Sequence, residues 1–587
     1  MSRPRMRILS GVYVRGGFPS ISTGAFLFPE AVAGDAMKEF AVQELTLGQV
    51  LDTAVGAFPL GEAVVHPASG VRWTWLELSE RVDAVARGLM AIGVDEGEKI
   101  ALWAPNCPQW IVFMFAAAKI GAVLLTVNTN YQETELRYLL RQSGCGTLVF
   151  FQGLHGRDFA ASLHAAVPEV LEHPRGALHS RHAPELRRIV AFGDAPVKAT
   201  AYSLSELDAL GRDVSETAYA ARRDAVEPYA IANMQYTSGT TGFPKGVMLT
   251  HVGIVNNARC VGGNLSLTAA DRVCLPVPLF HCVGCVLGVL ACAFYGATMV
   301  LLDTFSPVPA MNAVARERCT ALYGVPSFFQ AVLHHRFFPR FEFGTLRTGI
   351  MAGAVCPEEL MRAVMTSMGM EGITICYGLT EGSPVLTQTR MDDSVDRRVS
   401  TVGRSLPGIE VSIRDRNCNT ELPRGEVGEV CCRGYNVMRG YYDMPEATAE
   451  VIDDHGWLHT GDLGCMDADG YVSIRGRIKD MIIRGGENVY PREVEDYLRT
   501  MDGVLDVQIV GVPSERYGEE VGAFLIVREG ADVSPETVRA FCRGRIAWYK
   551  IPRHFALVRE FPLTANGKVQ KYKLREMAER YFVTADA

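Results

Sequence analysis

Between Thr46 and about Arg475, amphipathic helical stretches alternate with short apolar runs, and that alternation restricts the fold more than any other feature of the chain. Residues 76–92 repeat apolar side chains at helical spacing, whereas residues 99–103, 122–127, 147–151 and 188–192 are short and strand-like. Strands separated by helices predict parallel sheets with crossover helices, and such sheets present ligands at the carboxyl ends of their strands. After Arg475 the pattern changes. Pro491 suits a first helical position, with Val494, Tyr497 and Leu498 following at helical spacing; residues 506–510 and 522–527 are strand-like, and Ser534 with Pro535 opens another helix. The expected architecture is α/β: a large N-terminal domain of parallel or mixed sheets over residues 46–478 and a small α+β domain over residues 479–587. The segment 158–187, rich in His, Ala and Arg, carries no motif and is expected to be a surface insertion.

Residues 282–302 (CVGCVLGVLACAFYGATMVLL) are uncharged and long enough to cross a bilayer. Gly296 divides them into a helix-like half and a β-branched half closed by Asp303, which predicts a buried helix, a turn and a buried parallel strand instead. No transmembrane segment is expected.

Fifty-eight basic against 66 acidic side chains give a net charge of −8. A chain of that sign lacks the broad positive field that non-specific nucleic-acid binding requires, so nucleic acid is excluded as the main partner. Fifteen scattered cysteines without a secretory leader predict reduced thiols and a cytoplasmic location. Residues 1–45 are read as a leader, disordered or preceding the true start: Arg3, Arg5, Arg7 and Arg15 precede the first acid, Glu30, in a faintly transit-like pattern, and Met37 opens more regular sequence.

The strongest chemical signal is residues 236–246 (YTSGTTGFPKG), set between two apolar runs. Gly239 and Gly242 let backbone N–H groups turn toward an anion, Thr237, Ser238, Thr240 and Thr241 add hydroxyl donors, and Lys245 adds a positive charge. This is a phosphate cradle. It is not the Walker pattern, because the glycines stand too close together and no Ser or Thr follows the lysine. A plain polar hairpin turn is the bland alternative, and it explains neither the hydroxyls nor the lysine.

Four further motifs follow in order: residues 377–381 (YGLTE), 460–462 (TGD), 476–480 (GRIKD) and 562–568 (PLTANGK). Together with the loop they resemble the acyl-adenylate-forming superfamily of acyl-CoA synthetases, luciferases and adenylation domains of peptide synthetases. The similarity runs from about Thr46 to Glu579, and residues 481–491 (MIIRGGENVYP) look most like medium- to long-chain fatty-acid CoA ligases. Each motif alone has a plainer reading: a Thr-Gly-Asp triplet is commonly a turn, and a lone glutamate can cap a helix. Their joint order favours the family.

The resemblance implies a reaction with ATP, Mg²⁺ and coenzyme A. A carboxylate must attack the α-phosphate of ATP, so two anions approach and charge grows on the phosphoryl oxygens; cations and N–H donors must offset it. By similarity the loop from Thr237 to Gly246 would hold the β- and γ-phosphates, Thr380 the α-phosphate, and Glu381 the Mg²⁺. Tyr377 would pack on adenine, with Gly353 and Ala354 lining the base, while Asp462 accepts from the ribose hydroxyls and Arg477 assists. Lys568, behind the turn dipeptide Asn566-Gly567, corresponds to the adenylation lysine of the family. Lys479 corresponds to the hinge about which the small domain rotates, and Gly486 to the position that leaves room for the pantetheine arm of CoA.

His281 matches an aromatic position at the entrance of the acyl pocket in similar enzymes, although a satisfied half-buried histidine is an equal reading. Cys282 with Cys285, and Cys431 with Cys432, lack a second ligand pair at metal spacing and are expected to be buried packing. Residues 323–328 and 382–384 are expected to line the acyl pocket; no arginine is placed for a second carboxylate, which favours an apolar monocarboxylate. The leading expectation is a two-step fatty-acid CoA ligase. Its rivals are an enzyme loading a separate carrier protein, a CoA ligase for another apolar or aromatic acid, a luciferase-like oxidase, whose oxygen chemistry the shared residues do not encode, and a nucleotide-binding regulator without turnover. Membrane contact enters only through the lipophilic substrate.

Overall fold

The computed structural model describes residues 40–154, 157–171, 173–175, 178–193, 200–237, 244–354, 356–484, 487–514, 516–563 and 569–582. The expected leader, residues 1–45, lies almost wholly outside them.

Two large sheets carry the N-terminal part. In the first, Lys99–Trp103, Val123–Thr126, Thr147–Phe151 and Arg188–Phe192 are parallel, and Ile231–Thr237 joins parallel to Val123–Thr126. Lys245–Thr250 then returns antiparallel, with Lys245 opposite Thr237, and pairs in turn with Gly440–Tyr441. In the second, Glu62–His66, Thr298–Leu301, Arg272–Leu275, Ala321–Gly324, Thr348–Ala352 and Gly372–Gly378 run parallel, flanked by shorter antiparallel strands. The strands predicted at residues 99–103, 147–151 and 188–192 form with those bounds, and the one predicted at 122–127 forms as Val123–Thr126. Their parallel direction follows from the intervening helices, such as Pro108–Lys119 between the parallel strands Lys99–Trp103 and Val123–Thr126, which Pro108 opens at a first helical position.

Residues 282–302 behave as expected. Helical turns from Cys282 to Tyr295, partly of the wider π type, lie in the core, and Gly296 (φ +71°) ends them before Thr298–Leu301. A Cβ on Gly296 would lie 2.3 Å from Phe58 Cδ2, so the turn requires glycine for its space as well as its conformation. Among the described residues no helix is long and apolar enough to cross a membrane.

The segment 158–187 is not a mere surface insertion. Asp158 caps helix Phe159–Ala166, and Phe159, Leu163, Val167, Val170, Leu178 and Leu186 are buried against Trp103, Leu140 and Phe150. Its polar composition concealed apolar residues at near-helical spacing.

A four-stranded antiparallel sheet of Ile409–Arg414, Gly428–Gly434, Leu458–Met466 and Val472–Arg477 precedes a turn at Ile478–Asp480. Beyond it stands a smaller five-stranded sheet whose main antiparallel pair is Val504–Ser514 with Gly518–Val527. Helices Pro491–Arg499 and Pro535–Cys542 pack on one face, and Lys571–Phe582 packs on the other. Pro491 and Pro535 both sit at first helical positions, as read from the sequence.

Candidate active site

Three of the expected nucleotide residues meet where strands of different sheets converge. Tyr377 stands near the carboxyl end of Gly372–Gly378, and Gly353 and Ala354 directly follow the neighbouring parallel strand Thr348–Ala352. Gly353 takes φ +86°, a conformation that an ordinary side chain resists. Asp462 lies opposite Arg477 in the antiparallel pair of Leu458–Met466 and Val472–Arg477. The Tyr377 hydroxyl donates to Asp462 Oδ2 at 2.9 Å, and Arg477 Nε donates to Asp462 Oδ1 at 3.0 Å. Burial, reinforced by the Asp462 charge, pushes the Tyr377 hydroxyl well above its ordinary pKa, so it stays a donor at neutral pH. The Asp462 charge likewise raises Arg477 further.

Thr460, Gly461 and Asp462 form part of a strand, not the turn that the triplet alone suggests. Gly461 (φ +71°) distorts the strand locally, Thr460 Oγ1 donates to Val430 O at 2.7 Å, and Asp462 N donates to Thr460 Oγ1 at 3.1 Å. These bonds fix the carboxylate independently of any ligand.

A second group surrounds Glu381, in a short turn over Thr380–Gly382 after the Tyr377 strand. Tyr441 OH donates to Glu381 Oε1 at 2.8 Å, and Lys245 Nζ lies 4.6 Å from the centre of the Tyr441 ring. Tyr441 thus joins the strand that follows the expected phosphate loop to the expected metal ligand. It was missed in the sequence because nothing local distinguishes it; only the pairing of Val247 with Tyr441 brings it there. The loop closes an antiparallel hairpin, so the hairpin and cradle readings are compatible. Thr237 and Lys245 mark its two ends; Ser238, Gly239, Thr240, Thr241 and Gly242 lie outside the described residues.

Thr126 Oγ1 donates to Phe280 O at 2.8 Å and holds the segment before His281, which is half-buried with its ring centroid 4.6 Å from that of Phe280. Cys282 and Cys285 are buried free thiols; burial, their mutual contact and the Glu381 charge raise the Cys282 pKa. The expected acyl-pocket residues separate: Tyr323 faces the core shared with Leu279 and Leu386, while Phe328 lies in the core on the other side of the sheet with Leu322 and Met351. Period-2 alternation along Ala321–Gly324 and the following turn explain the split. Gly382 is tightly packed, since a Cβ there would lie 2.6 Å from Leu386 Cδ2.

Lys479 lies in the turn Ile478–Asp480. Arg575, on the last helix, donates to Lys479 O at 2.7 Å and pairs with Asp480 Oδ1 at 2.9 Å. An antiparallel bridge between Leu563 and Val569 brackets the segment that carries Lys568; Lys568 and Gly486 lie outside the described residues.

Three residues before Asp462 on the same strand, His459 is the direct cross-strand partner of Cys431, and Glu429 lies two residues before Cys431. Cys431 and Cys432 are both buried, as expected, and Cys431 Sγ also lies 3.4 Å from His459 Nδ1. A Glu-x-Cys spacing was visible in the sequence; its histidine, 28 residues later, was not connected to it.

The fold is that of adenylate-forming enzymes. Residues 51–442 match the AMP-binding enzyme family and residues 493–568 the AMP-binding enzyme C-terminal domain; the chain belongs to this family of AMP-forming acyl-CoA ligases, which use ATP and CoA. A Bacillus subtilis protein designated an acyl-CoA synthetase, YngI, is 47% identical over 92% of this chain and 98% of its own. A mitochondrial medium-chain acyl-CoA ligase of Homo sapiens is 39% identical over 91% of this chain and 88% of its own. An anthranilate CoA ligase, solved with anthranoyl-AMP, superposes with a TM-score of 0.81 at 25% identity, covering 94% of this chain and all of that one (100%).

Proposed function

We propose that the chain activates a medium- to long-chain fatty carboxylate and transfers the acyl group to CoA. In the first step a carboxylate oxygen attacks the α-phosphorus of ATP and pyrophosphate leaves. In the second the CoA thiol, losing its proton, attacks the acyl carbonyl and AMP leaves. The observation that carries the reading is the Asp462 carboxylate held between Tyr377 and Arg477. A fixed carboxylate acceptor at the carboxyl ends of parallel strands suits the vicinal hydroxyls of a ribose.

In this proposal Tyr377, Gly353 and Ala354 receive the adenine. The loop between Thr237 and Lys245 receives the β- and γ-phosphates, and Thr380 the α-phosphate. Glu381 fits Mg²⁺, a hard cation commonly held by one or two carboxylates together with substrate phosphates. Bound there, Mg²⁺ would neutralise charge developing on the phosphates. Lys568 would bridge carboxylate and α-phosphate oxygens during adenylation. Rotation about Lys479, between a body of residues 46–478 and one of 479–587, would then withdraw it and bring Gly486 to the pantetheine arm. His281 is the proposed gate of the acyl pocket. The medium-chain end of the preference draws on the named human relative, and the long-chain end on the resemblance of residues 481–491. Cytoplasmic location is part of the proposal, supported by fifteen free cysteines.

The test is ATP–pyrophosphate exchange over acids of increasing chain length, followed by product analysis with CoA. A chain-length optimum and an acyl-CoA product support the reading. A flat response removes the fatty-acid assignment, and product only with a carrier protein removes CoA as acceptor.

A further inference from the structure

Glu429, Cys431 and His459 place one carboxylate oxygen, one sulfur and one imidazole nitrogen all within 4.8 Å of each other. The placement is built into the sheet. Cys431 and His459 face each other across an antiparallel pair, and Glu429 shares the face of Cys431 two residues away. His459 Nδ1 is 3.4 Å from Cys431 Sγ and 2.9 Å from Glu429 Oε2. Two ligand-type atoms therefore converge on one ring nitrogen, whereas that nitrogen can carry a single proton.

Around these three groups stands a supporting layer. Asp453 Oδ2 lies 3.6 Å from His459 Nε2, on the far side of the ring. That carboxylate is itself held by Asn419 Nδ2 at 2.8 Å, while the other Asp453 oxygen accepts from the backbone N–H groups of His455 and Trp457. Glu429 Oε1 accepts from Gly461 N at 3.0 Å, leaving Oε2 directed at the ring. The position beside Nδ1, 2.9 Å from the Glu429 carboxylate and facing Cys431 Sγ, therefore favours a cation, either the ring's own proton or a metal ion. Histidine ligands to metals commonly have a carboxylate behind the second nitrogen, and ligating carboxylates are usually hydrogen-bonded in turn.

We propose that Glu429, Cys431 and His459 form a binding site for a thiophilic divalent transition metal of the Zn²⁺ class, with Asp453 and the Gly461 N–H orienting the ligands. One thiolate, one imidazole and one carboxylate match the ligand preferences of zinc, and three protein ligands leave a fourth position to water. The set does not suit Mg²⁺ or Ca²⁺, which select oxygen donors. Binding releases the Cys431 proton to solvent. The site is separate from the proposed Mg²⁺ position at Glu381 and does not depend on the reaction assigned above. It nevertheless touches the nucleotide strand through Gly461, so occupancy would stiffen the segment that presents Asp462.

The experiment uses the full chain, stripped with a chelator, and titrates Zn²⁺ and then Co²⁺ in excess Mg²⁺. One equivalent of Zn²⁺ is expected, and Co²⁺ should give the visible bands and sulfur charge-transfer absorption of a tetrahedral thiolate complex. Both signals should disappear in Cys431→Ser, and Asp453→Asn should weaken binding about 10- to 100-fold. Should Cys431→Ser not fold, as judged by its melting curve, His459→Gln provides the same reading. Absence of stoichiometric Zn²⁺ binding would show that an imidazolium proton fills the position and overturn the proposal. So would a cobalt spectrum that survives these substitutions, since the ion would then reside on other cysteines.

Discussion

Tyr377 and Asp462 lie 85 residues apart, on strands of different sheets, yet share a 2.9 Å hydrogen bond with the tyrosine as donor. The contact joins the parallel sheet, which presents one side of the proposed nucleotide site, to the antiparallel sheet that leads toward Lys479. Asp462→Asn keeps the shape and removes the charge. A hydrogen bond to a charged group contributes about 1.5–3 kcal/mol, so kcat/KM for ATP should fall about 10- to 100-fold. Tyr377→Phe should fall less. ATP saturation curves with the fatty acid held in excess measure both.

Lys568→Ala should separate the half-reactions. Removing a cation that stabilises developing charge costs on the order of 10²–10³-fold in acyl-AMP formation. Thioester formation from supplied acyl-AMP should stay near the wild-type rate, as read by product chromatography. Equal loss in both steps would remove the proposed role.

Tyr441→Phe tests the support of Glu381. Loss of one hydrogen bond is worth about 0.5–1.5 kcal/mol, so the Mg²⁺ concentration that half-saturates pyrophosphate exchange should shift by roughly 2- to 10-fold. Because the Tyr441 ring persists, its contact with Lys245 should be retained, and the effect should lie in the metal dependence.

Asp271 provides a pH test away from the site. It is buried, bonded to Arg347 at 2.7 Å and to Thr320 Oγ1 at 2.7 Å, and accepts from Thr268 N at 2.9 Å. Burial opposes its ionisation, but Arg347 and the hydroxyl more than compensate and hold its pKa below the ordinary value. A depressed carboxylate contributes stability above its unfolded pKa, about 3.9, and loses it as pH falls through the folded value. Wild type should therefore lose stability below about pH 4 by a component missing from Asp271→Asn. At pH 7 the substitution should cost about 3 kcal/mol, as measured by denaturant unfolding.

Gly296→Ala combines a positive φ with a Cβ that would lie 2.3 Å from Phe58. The conformation costs about 1–2 kcal/mol and overpacking about 1–3 kcal/mol more. A lowered denaturation midpoint with an unchanged slope is the expected result.

The fold was legible wherever periodicity was decided locally. The strand at Lys99–Trp103, the helix opened by Pro491, and the break at Gly296 follow from spacing, branching and turn chemistry. Segment 158–187 was obscured because its polar residues outnumber the few, such as Phe159 and Leu163, that anchor it. Asp462 could be singled out as a motif, but its fixation by Tyr377 and Arg477 depends on sheet register, which a single sequence does not display. The same limit hid Tyr441, and it hid the approach of Cys431 to His459. Phe328 was grouped with Tyr323 by proximity along the chain, although they lie on opposite sides of the sheet.

The bond from Arg575 to the Lys479 carbonyl fastens the final helix to the proposed pivot. Under the proposed rotation, turning that peptide would carry its oxygen away from the guanidinium, so the helix would act as a latch on the swing that it accompanies. Such a half-exposed clasp is worth at most about 1 kcal/mol, or roughly a fivefold bias between two orientations. That would be enough to set a resting posture and too little to prevent departure from it, which would give the last helix a timing role besides its structural one.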